Sequence, residues 1–292
     1  GAALNMQRFR RQLRASLCAA AALLCVTGLG ASEPSPSGVE LRGEWQQGAV
    51  IFGTAPIGAR VWFNGRPLRL SEQNEFVFGL DRDAPPQAEL KVQLPGDAQP
   101  QLHRYAVAKR EYAIQRLDGL PPKMVTPPPE VAARIKEDQR LVAAARKHDT
   151  PLRGFSQSFV WPATGRVSGV FGSQRILNGV PKQPHYGVDV AIPTGTAVVA
   201  PADGVIVLAS PDMYFTGGTL MIDHGHGLMS AFLHLSALKV SLGQTVKQGE
   251  LIALSGATGR ATGPHLDWRM NWFDARVDAQ LLVPPMAAQP AR

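Results

Sequence analysis

Histidine is concentrated in the C-terminal half of this 292-residue chain. Five of the seven histidines fall within residues 185–265, namely His185, His224, His226, His234 and His265. Imidazole is a common zinc ligand and also exchanges protons near neutral pH. Both cysteines, Cys18 and Cys25, lie near the N-terminus. The region therefore predicts a metal site or an acid–base site that is built from imidazole and carboxylate groups.

Two of these histidines stand at even spacing from an aspartate. His185 precedes Asp189 by four residues, and His265 precedes Asp267 by two. Because side chains alternate along an extended strand, each pair is expected to project from one face. A further histidine, His234, lies within an apolar segment. Taken singly, each feature is more typical of a surface hydrogen bond or a core histidine, so only their combination indicates a site.

Several short motifs surround these residues, in a fixed order between Trp161 and Trp268. They are Val170-Phe171-Gly172, His185-Tyr186-Gly187-Val188-Asp189, Pro193-Thr194-Gly195-Thr196, Ile222-Asp223-His224-Gly225, His234-Leu235-Ser236, Gly256-Ala257-Thr258-Gly259 and Gly263-Pro264-His265-Leu266. No single motif is decisive, but so many in register are very improbable by chance. In this arrangement the segment resembles the LytM/lysostaphin-type zinc metallopeptidases.

The resemblance implies a role for each matched residue. It implies that His185 and Asp189 bind one zinc ion, and that His234 and His265 are catalytic. The last zinc ligand of the family is a histidine, and this chain has Asp267 at that position. The substrate implied is the peptide cross-link of bacterial peptidoglycan. The chemistry implied is metal-assisted hydrolysis of an amide bond.

The change to Asp267 has two interpretations. Carboxylate oxygen is an accepted zinc ligand, and one imidazole with two carboxylates would make the zinc site neutral rather than singly positive. A less positive site acidifies its water less, which predicts a working site with a higher pH optimum or looser metal choice. The alternative is that Asp267 has ended zinc binding, which would leave a catalytically inactive LytM-type module that binds the cell wall or activates another wall hydrolase.

His224 and His226 flank Gly225 in a sequence that is typical of a turn between strands. Asp223 is expected to accept backbone hydrogen bonds there. We therefore leave both histidines out of the predicted site.

The elements that position these residues are expected to be mainly β. Short β-branched and aromatic runs begin at Val50, Val61, Phe76 and Leu90. Asn64-Gly65 provides the positive φ angles that a tight hairpin needs. These features predict a small N-terminal β-sandwich over residues 38–112.

The rest of the chain divides into a connection and a second β domain. Residues 113–154 contain a proline-rich linker and a short helix, which is expected from Glu130 to about His148. Residues 155–285 are predicted to form an antiparallel β domain of the LytM type, a duplicated hybrid motif, followed by a tail at 286–292. A biotin- or lipoyl-carrier domain has similar hairpins, but Lys247 lacks the neighbours expected of a modified lysine.

The N-terminal segment has the layout of an export signal. Basic residues precede an apolar stretch from Ser16 to Leu29, and small residues follow it. This layout predicts a signal peptide over residues 1–32, with an uncleaved anchor as the alternative. The mature chain would then reach the periplasm or cell envelope, with no stable membrane span and no disulfide. The cleaved segment would carry four of the arginines that contribute to the formal net charge of +7.

Peptidoglycan peptides are the expected partner. A mildly basic exported chain suits an anionic envelope polymer. The sequence has no run of basic residues interleaved with aromatic residues, which would be expected of a nucleic-acid-binding protein. The sequence indicates no oligomeric state. A third hypothesis is a plain wall-binding protein whose N-terminal sandwich makes the contacts.

Overall fold

The computed structural model describes residues 35–36 and 38–286. The predicted signal segment at 1–32 and residues 287–292 of the predicted tail lie outside the described residues. Within this part of the chain the fold is mainly β, as predicted, with mostly antiparallel pairing. None of its helices has the length and apolar character that crossing a bilayer requires.

The N-terminal region contains two small sheets. Its strands are β1 (Glu40–Arg42), β2 (Val50–Thr54), β3 (Arg60–Phe63), β4 (Arg66–Pro67), β5 (Glu75–Gly79), β6 (Gln87–Gln93) and β7 (Gln101–Ala106). One sheet has the order β1-β2-β5, and the other has the order β4-β3-β6-β7. The Phe63 ring of one stacks on the Phe78 ring of the other at 4.1 Å between centroids. Aromatic and β-branched residues thus form these strands because their side chains pack between the two sheets.

The predicted hairpin at Asn64-Gly65 is present. Asn64 and Gly65 have φ angles of 45° and 81°. Positive φ at both central residues matches the right-handed twist of the flanking strands, which here are β3 and β4. Asparagine and glycine adopt that conformation at little steric cost.

The segment expected to be a linker also contributes a strand. The next four strands are β8 (Ile114–Leu117), β9 (Arg166–Gly169), β10 (Gln174–Leu177) and β11 (Val180–Pro181). Strand β8 pairs in parallel with β10, which pairs with β11 in turn. The connection therefore lies against the C-terminal region.

Two α-helices follow β8. Helix α1 spans Pro122–Val125, and α2 spans Ala132–Ala145 after a 3-10 turn at Pro129–Val131. The second is the predicted helix, with ends a few residues inside the expected ones. Its Ala145 and Val142 pack against a cluster of buried residues that includes Leu208 and Met229. Helix α2 therefore covers one face of the large sheet that follows.

The large sheet carries the candidate site. The remaining strands are β12 (Gly187–Ala191), β13 (Ala197–Val199), β14 (Gly204–Met213), β15 (Gly217–Asp223), β16 (Leu228–Leu235), β17 (Ala237–Leu238), β18 (Thr245–Val246), β19 (Leu251–Leu254), β20 (Leu266–Trp272) and β21 (Ala275–Val277), with 3-10 turns at Gly154–Ser156 and Ala279–Leu282. The main sheet has the order β18-β14-β15-β16-β20-β12-β9, with β21 beside β20. Strands β13, β19 and β17 form a second layer. Both faces of β15 and β16 are buried, which explains their nearly continuous apolar sequences.

One hydrophobic core runs through both sheet systems. It extends from Val39 to Ala279. The Phe63 ring lies 5.8 Å from the Trp272 ring, and an added Cβ at Gly79 would come within 2.8 Å of Trp272. The limits of the two domains at 38–112 and 155–285 stay a prediction, since the N-terminal strands pack directly on the C-terminal sheet.

Candidate metal centre

Strands β12 and β20 bring the two aspartates of the predicted site side by side. Asp189 and Asp267 are direct partners in the antiparallel register. Directly opposed residues project from the same face of a sheet, so the two carboxylates share one side. Neighbouring glycines provide the space. An added Cβ at Gly169 would overlap the Asp189 carboxylate, and one at Gly187 would overlap that of Asp267.

His185 precedes β12 and faces both carboxylates. Its Nδ1 lies 3.2 Å from the carbonyl oxygen of Val170, which leaves Nε2 directed inward. That Nε2 lies 3.0 Å from Asp189 Oδ1 and 3.4 Å from Asp267 Oδ2. All three residues are buried. The ligand atoms of the three lie within 4.8 Å of one another.

Two of these atoms have no hydrogen bond. Among the described residues, neither His185 Nε2 nor Asp189 Oδ1 makes a well-aligned hydrogen bond, although the two buried atoms lie only 3.0 Å apart. Burying a polar atom without a partner is costly, and a cation between the two atoms would satisfy both. A carbonyl that fixes the second ring nitrogen is also typical of zinc-bound histidine. The residues therefore fit a divalent cation such as zinc.

The two predicted catalytic histidines lie beside this group. His265 Nε2 is 3.8 Å from Asp189 Oδ1, and its Nδ1 is 2.8 Å from the carbonyl oxygen of Gly263. His234 Nδ1 is 2.8 Å from the carbonyl oxygen of Thr258. The centroids of the two imidazole rings are 4.8 Å apart. The structure thus brings together all five residues that the sequence predicts for the site.

His234 has an unusual backbone. Its φ of 62° is uncommon for any residue other than glycine. Such conformations persist where the surroundings enforce them, and they are frequent at functional sites. Burial lowers the pKa of His234 to about 4, with opposing contributions from Asp267 and the carbonyl of Thr258. The His234 ring is therefore neutral at pH 7.

Two arginines that the sequence interpretation missed neutralise the carboxylates. Arg175 Nη2 donates to Asp189 Oδ2 at 3.0 Å, and Arg269 Nη2 donates to Asp267 Oδ2 at 2.7 Å. Arg269 Nε is 3.1 Å from both oxygens of Asp267. The two-residue spacing of Asp267 and Arg269 on one strand was a usable signal for this pair. Arg175 lies on β10, and no local pattern indicates it.

These arginines change the charge of the site. Burial alone would raise the pKa of Asp267, but Arg269 and then His185 hold it well below its usual range. Burial alone would lower the pKa of His185, but Asp267 and Asp189 raise it. The prediction of a less positive site counted only the three ligands. Two guanidinium groups in contact with the carboxylates restore positive charge beside them. The expected rise in pH optimum was based on a less positive site, and the structure does not show such a site.

A cavity of about 370 Å³ opens beside the ligands. It is lined by Gln115, Leu117, Leu120, Arg166, Ser168, Arg175, Leu177, Asp189, Ala191, His234, Arg260, Ala261, Thr262, Gly263, Pro264 and His265. Strand β8 and the residues after it form one wall. Asp189, His234 and His265 therefore border a space that is large enough for a short peptide segment.

His224 and His226 lie elsewhere, as the sequence suggests. His224 is fully buried, with Nδ1 at 2.7 Å from the carbonyl oxygen of Asp203 and Nε2 at 2.7 Å from Ser230 Oγ. His226 has a φ of 55° in the turn, and its Nδ1 is 3.0 Å from the carbonyl oxygen of Arg69. Asp223 Oδ1 accepts from the Gly225 backbone N–H, as expected. Both histidines therefore have a structural role, through hydrogen bonds that lie away from the candidate site.

Acid is expected to destabilise the protein through His224. Burial lowers the pKa of His224 to about 4, whereas an unfolded histidine has a pKa of about 6.5. The unfolded chain therefore binds an extra proton between these values, and stability is lost as the pH falls from 6.5 towards 4. At pH 5 the loss from this one group is about 2 kcal/mol. Urea unfolding at pH 7 and pH 5 should show a smaller drop in His224→Gln than in the parent by about this amount. An equal drop in the two proteins would contradict the assignment.

Comparison with known proteins places the site in a family. Residues 183–279 match the model of peptidase family M23. The chain is 30% identical to a solved structure described as a putative peptidase M23 from Pseudomonas aeruginosa, and the two superpose with a TM-score of 0.64. The match covers 82% of this chain and 95% of that one.

Curated relatives match over the C-terminal part. The peptidoglycan DD-endopeptidase ShyA of Vibrio cholerae serotype O1 is 37% identical over 161 residues, which is 54% of this chain and 36% of that protein. An uncharacterized metalloprotease of Haemophilus influenzae is 45% identical over 110 residues, which is 38% of this chain and 20% of that protein. The matched segment thus spans only about a third or less of these relatives.

Proposed function

The chain belongs to peptidase family M23, and from that membership we propose that it is a zinc endopeptidase which hydrolyses the peptide cross-links of bacterial peptidoglycan. The observation that carries the proposal is the convergence of His185, Asp189 and Asp267 beside two histidines that border an open cavity. The relative ShyA, named as a peptidoglycan DD-endopeptidase, supports the substrate class. An export signal over residues 1–32, which lies outside the described residues, would bring the enzyme to the periplasm.

The residues of the site have separate roles in the proposed hydrolysis. His185, Asp189 and Asp267 would hold the zinc ion. When bound, zinc supplies Lewis-acid chemistry that polarises a carbonyl and acidifies water. His265, whose Nε2 lies 3.8 Å from Asp189 Oδ1, takes a proton from the attacking water and passes it to the leaving amine nitrogen as the C–N bond breaks. His234 is neutral and adjacent, and it orients the water by a hydrogen bond.

One observation favours a second candidate. Both oxygens of Asp267 accept hydrogen bonds from Arg269, so this carboxylate has partners without any metal. A site closed by that ion pair would leave a catalytically inactive module that binds the cell wall or activates another hydrolase. Zinc content distinguishes the two candidates.

The proposed function is tested by metal analysis together with hydrolysis. The purified protein should contain one zinc per chain by mass spectrometry, and it should release free amines from purified peptidoglycan. A chelator should abolish the release, and added zinc should restore it. Wall binding without zinc and without amine release would support the inactive module instead.

The catalytic histidines should affect turnover without affecting the metal. His265→Ala is expected to reduce amine release by about 10²–10⁴-fold, the usual contribution of a general acid–base group. His234→Ala is expected to reduce it as well. Zinc content should stay at one per chain in both variants. His103→Gln, on β7 in the N-terminal sheet, is the matched control and should behave as the parent. Loss of zinc from His265→Ala would contradict its assignment as a catalytic residue.

A further inference from the structure

Positive charge is concentrated on the cavity wall beside the candidate ligands. Arg166, Arg175 and Arg260 all line the cavity, and Asp189 is the only carboxylate among the lining residues. Asp189 already pairs with Arg175 at 3.0 Å. Among the described residues, no ion pair joins Arg166 or Arg260 to a carboxylate. The cavity therefore presents two cations whose charge the protein does not compensate.

Arg260 is held in place before any ligand arrives. Its backbone N–H donates to the carbonyl oxygen of Phe215 at 2.8 Å, and its guanidinium lies 4.5 Å from the centre of the Phe215 ring. The only side-chain hydrogen bond of Arg260 within the described residues runs from Nη1 to the carbonyl oxygen of Met124 at 3.3 Å. Stacking on an aromatic face leaves the other N–H groups at the edge of the guanidinium available.

Backbone packing also fixes the loop that carries Arg260. Gly259 has a φ of 67°, and an added Cβ there would come within 2.5 Å of the backbone nitrogen of Gly217. Only glycine allows this close approach between the loop and the start of β15. Much of the entropic cost of ordering Arg260 around a ligand is therefore met in the fold itself.

The surroundings of Arg260 favour an anion. Burial, together with the positive charges of Arg175 and Arg269, lowers its pKa to about 10. The group stays protonated at neutral pH, but it does so against repulsion from its neighbours. A bound anion would relieve that repulsion. A carboxylate matches the planar donor geometry of guanidinium and accepts two parallel hydrogen bonds.

We propose that Arg260, assisted by Arg166, binds a carboxylate of the peptide substrate, so that the cavity selects peptides with free carboxylates over amidated ones. The proposal rests on the proposed function for the identity of the substrate class. It assigns Arg260 to substrate recognition, at a site separate from the metal ligands.

Peptide binding tests this selectivity without requiring turnover. Calorimetry would compare two synthetic peptidoglycan stem tetrapeptides, one with free carboxylates and one with every carboxylate amidated. The zinc-loaded parent is expected to bind the free form about 10–100-fold more tightly, the usual contribution of a charge-assisted hydrogen bond. Arg260→Met should reduce this ratio by about 10-fold, and Arg260→Lys should retain part of it.

A matched control and separate readouts make the outcome clear. Lys91→Met removes one exposed positive charge from β6 and should keep the parental ratio. Equal binding of the two peptides by the parent would overturn the proposal. An unchanged ratio in Arg260→Met would overturn it too, even with weaker binding of both peptides, since that result indicates a structural role. Failure of the parent to cleave peptidoglycan would contradict the proposed function alone, because the binding ratio is measured independently of cleavage.

Discussion

Replacing His185 by alanine is expected to remove zinc binding and peptidoglycan hydrolysis together. The Nε2 atom of His185 is the only imidazole nitrogen in the buried group with Asp189 and Asp267, among the described residues. Changes outside the ligand shell already weaken metal binding by about 10–100-fold, so loss of a ligand should cost at least about 100-fold. Zinc titration with a competing chelator and amine release from peptidoglycan would measure the two effects.

Two comparisons make the His185 result specific. His103→Gln removes a histidine from the N-terminal sheet and should keep full zinc binding and activity. Urea unfolding of His185→Ala in chelator should still be cooperative, although the variant loses the buried ring, its bond to Val170 and its contacts with Asp189 and Asp267. A variant that retained one tightly bound zinc would show that another group holds the metal.

Replacing Arg269 by methionine is expected to destabilise the metal-free protein by about 3–5 kcal/mol. Asp267 is fully buried, and Arg269 supplies three hydrogen-bond contacts to its carboxylate. Removing one partner of a buried ion pair leaves an uncompensated charge in a poorly solvated site. Urea unfolding in the presence of chelator would measure the loss.

Zinc should reverse part of this effect. A divalent cation that binds Asp267 would compensate the charge that Arg269 no longer balances, and binding to the folded state alone adds stability. The destabilisation of Arg269→Met should therefore be smaller in excess zinc than in chelator. Arg134→Met is the control, because its ion pair with Asp212 is exposed and should be worth less than about 1 kcal/mol. Equal destabilisation with and without zinc would indicate that Asp267 does not share the metal.

The His185→Ala and Arg269→Met variants together test whether Asp267 binds zinc. His185→Ala removes a ligand and leaves both ion pairs, whereas Arg269→Met removes an ion pair and leaves all three ligands. If Asp267 binds zinc, Arg269 acts as the outer partner that keeps its carboxylate ionised and oriented. If Asp267 and Arg269 only balance each other, Arg269→Met will be destabilised by the same amount in excess zinc as in chelator.

Local sequence patterns predicted the residues of the site and much of its scaffold. The types and spacing of His185, Asp189, His234, His265 and Asp267 predicted a metal or acid–base site before any contact was known, and the resemblance to the LytM/lysostaphin-type peptidases gave each residue its expected role. The hairpin at Asn64-Gly65 could be predicted because its positive φ angles depend on two adjacent residues. Strand character was also readable, since β-branched and aromatic side chains favour extended backbone wherever one face is buried.

Only the tertiary structure decided which distant residues meet. The pairing of Asp189 with Asp267 depends on the register between β12 and β20, and Arg175 reaches Asp189 from a strand that pairs with the supposed linker. Arg260 lines the cavity because its loop packs on Phe215. Such contacts between segments far apart along the chain arise from the packing of whole sheets, so no local sequence pattern indicates Arg175 or Arg260 as parts of the site. Of its charged partners, only Arg269 could have been recognised from its spacing to Asp267.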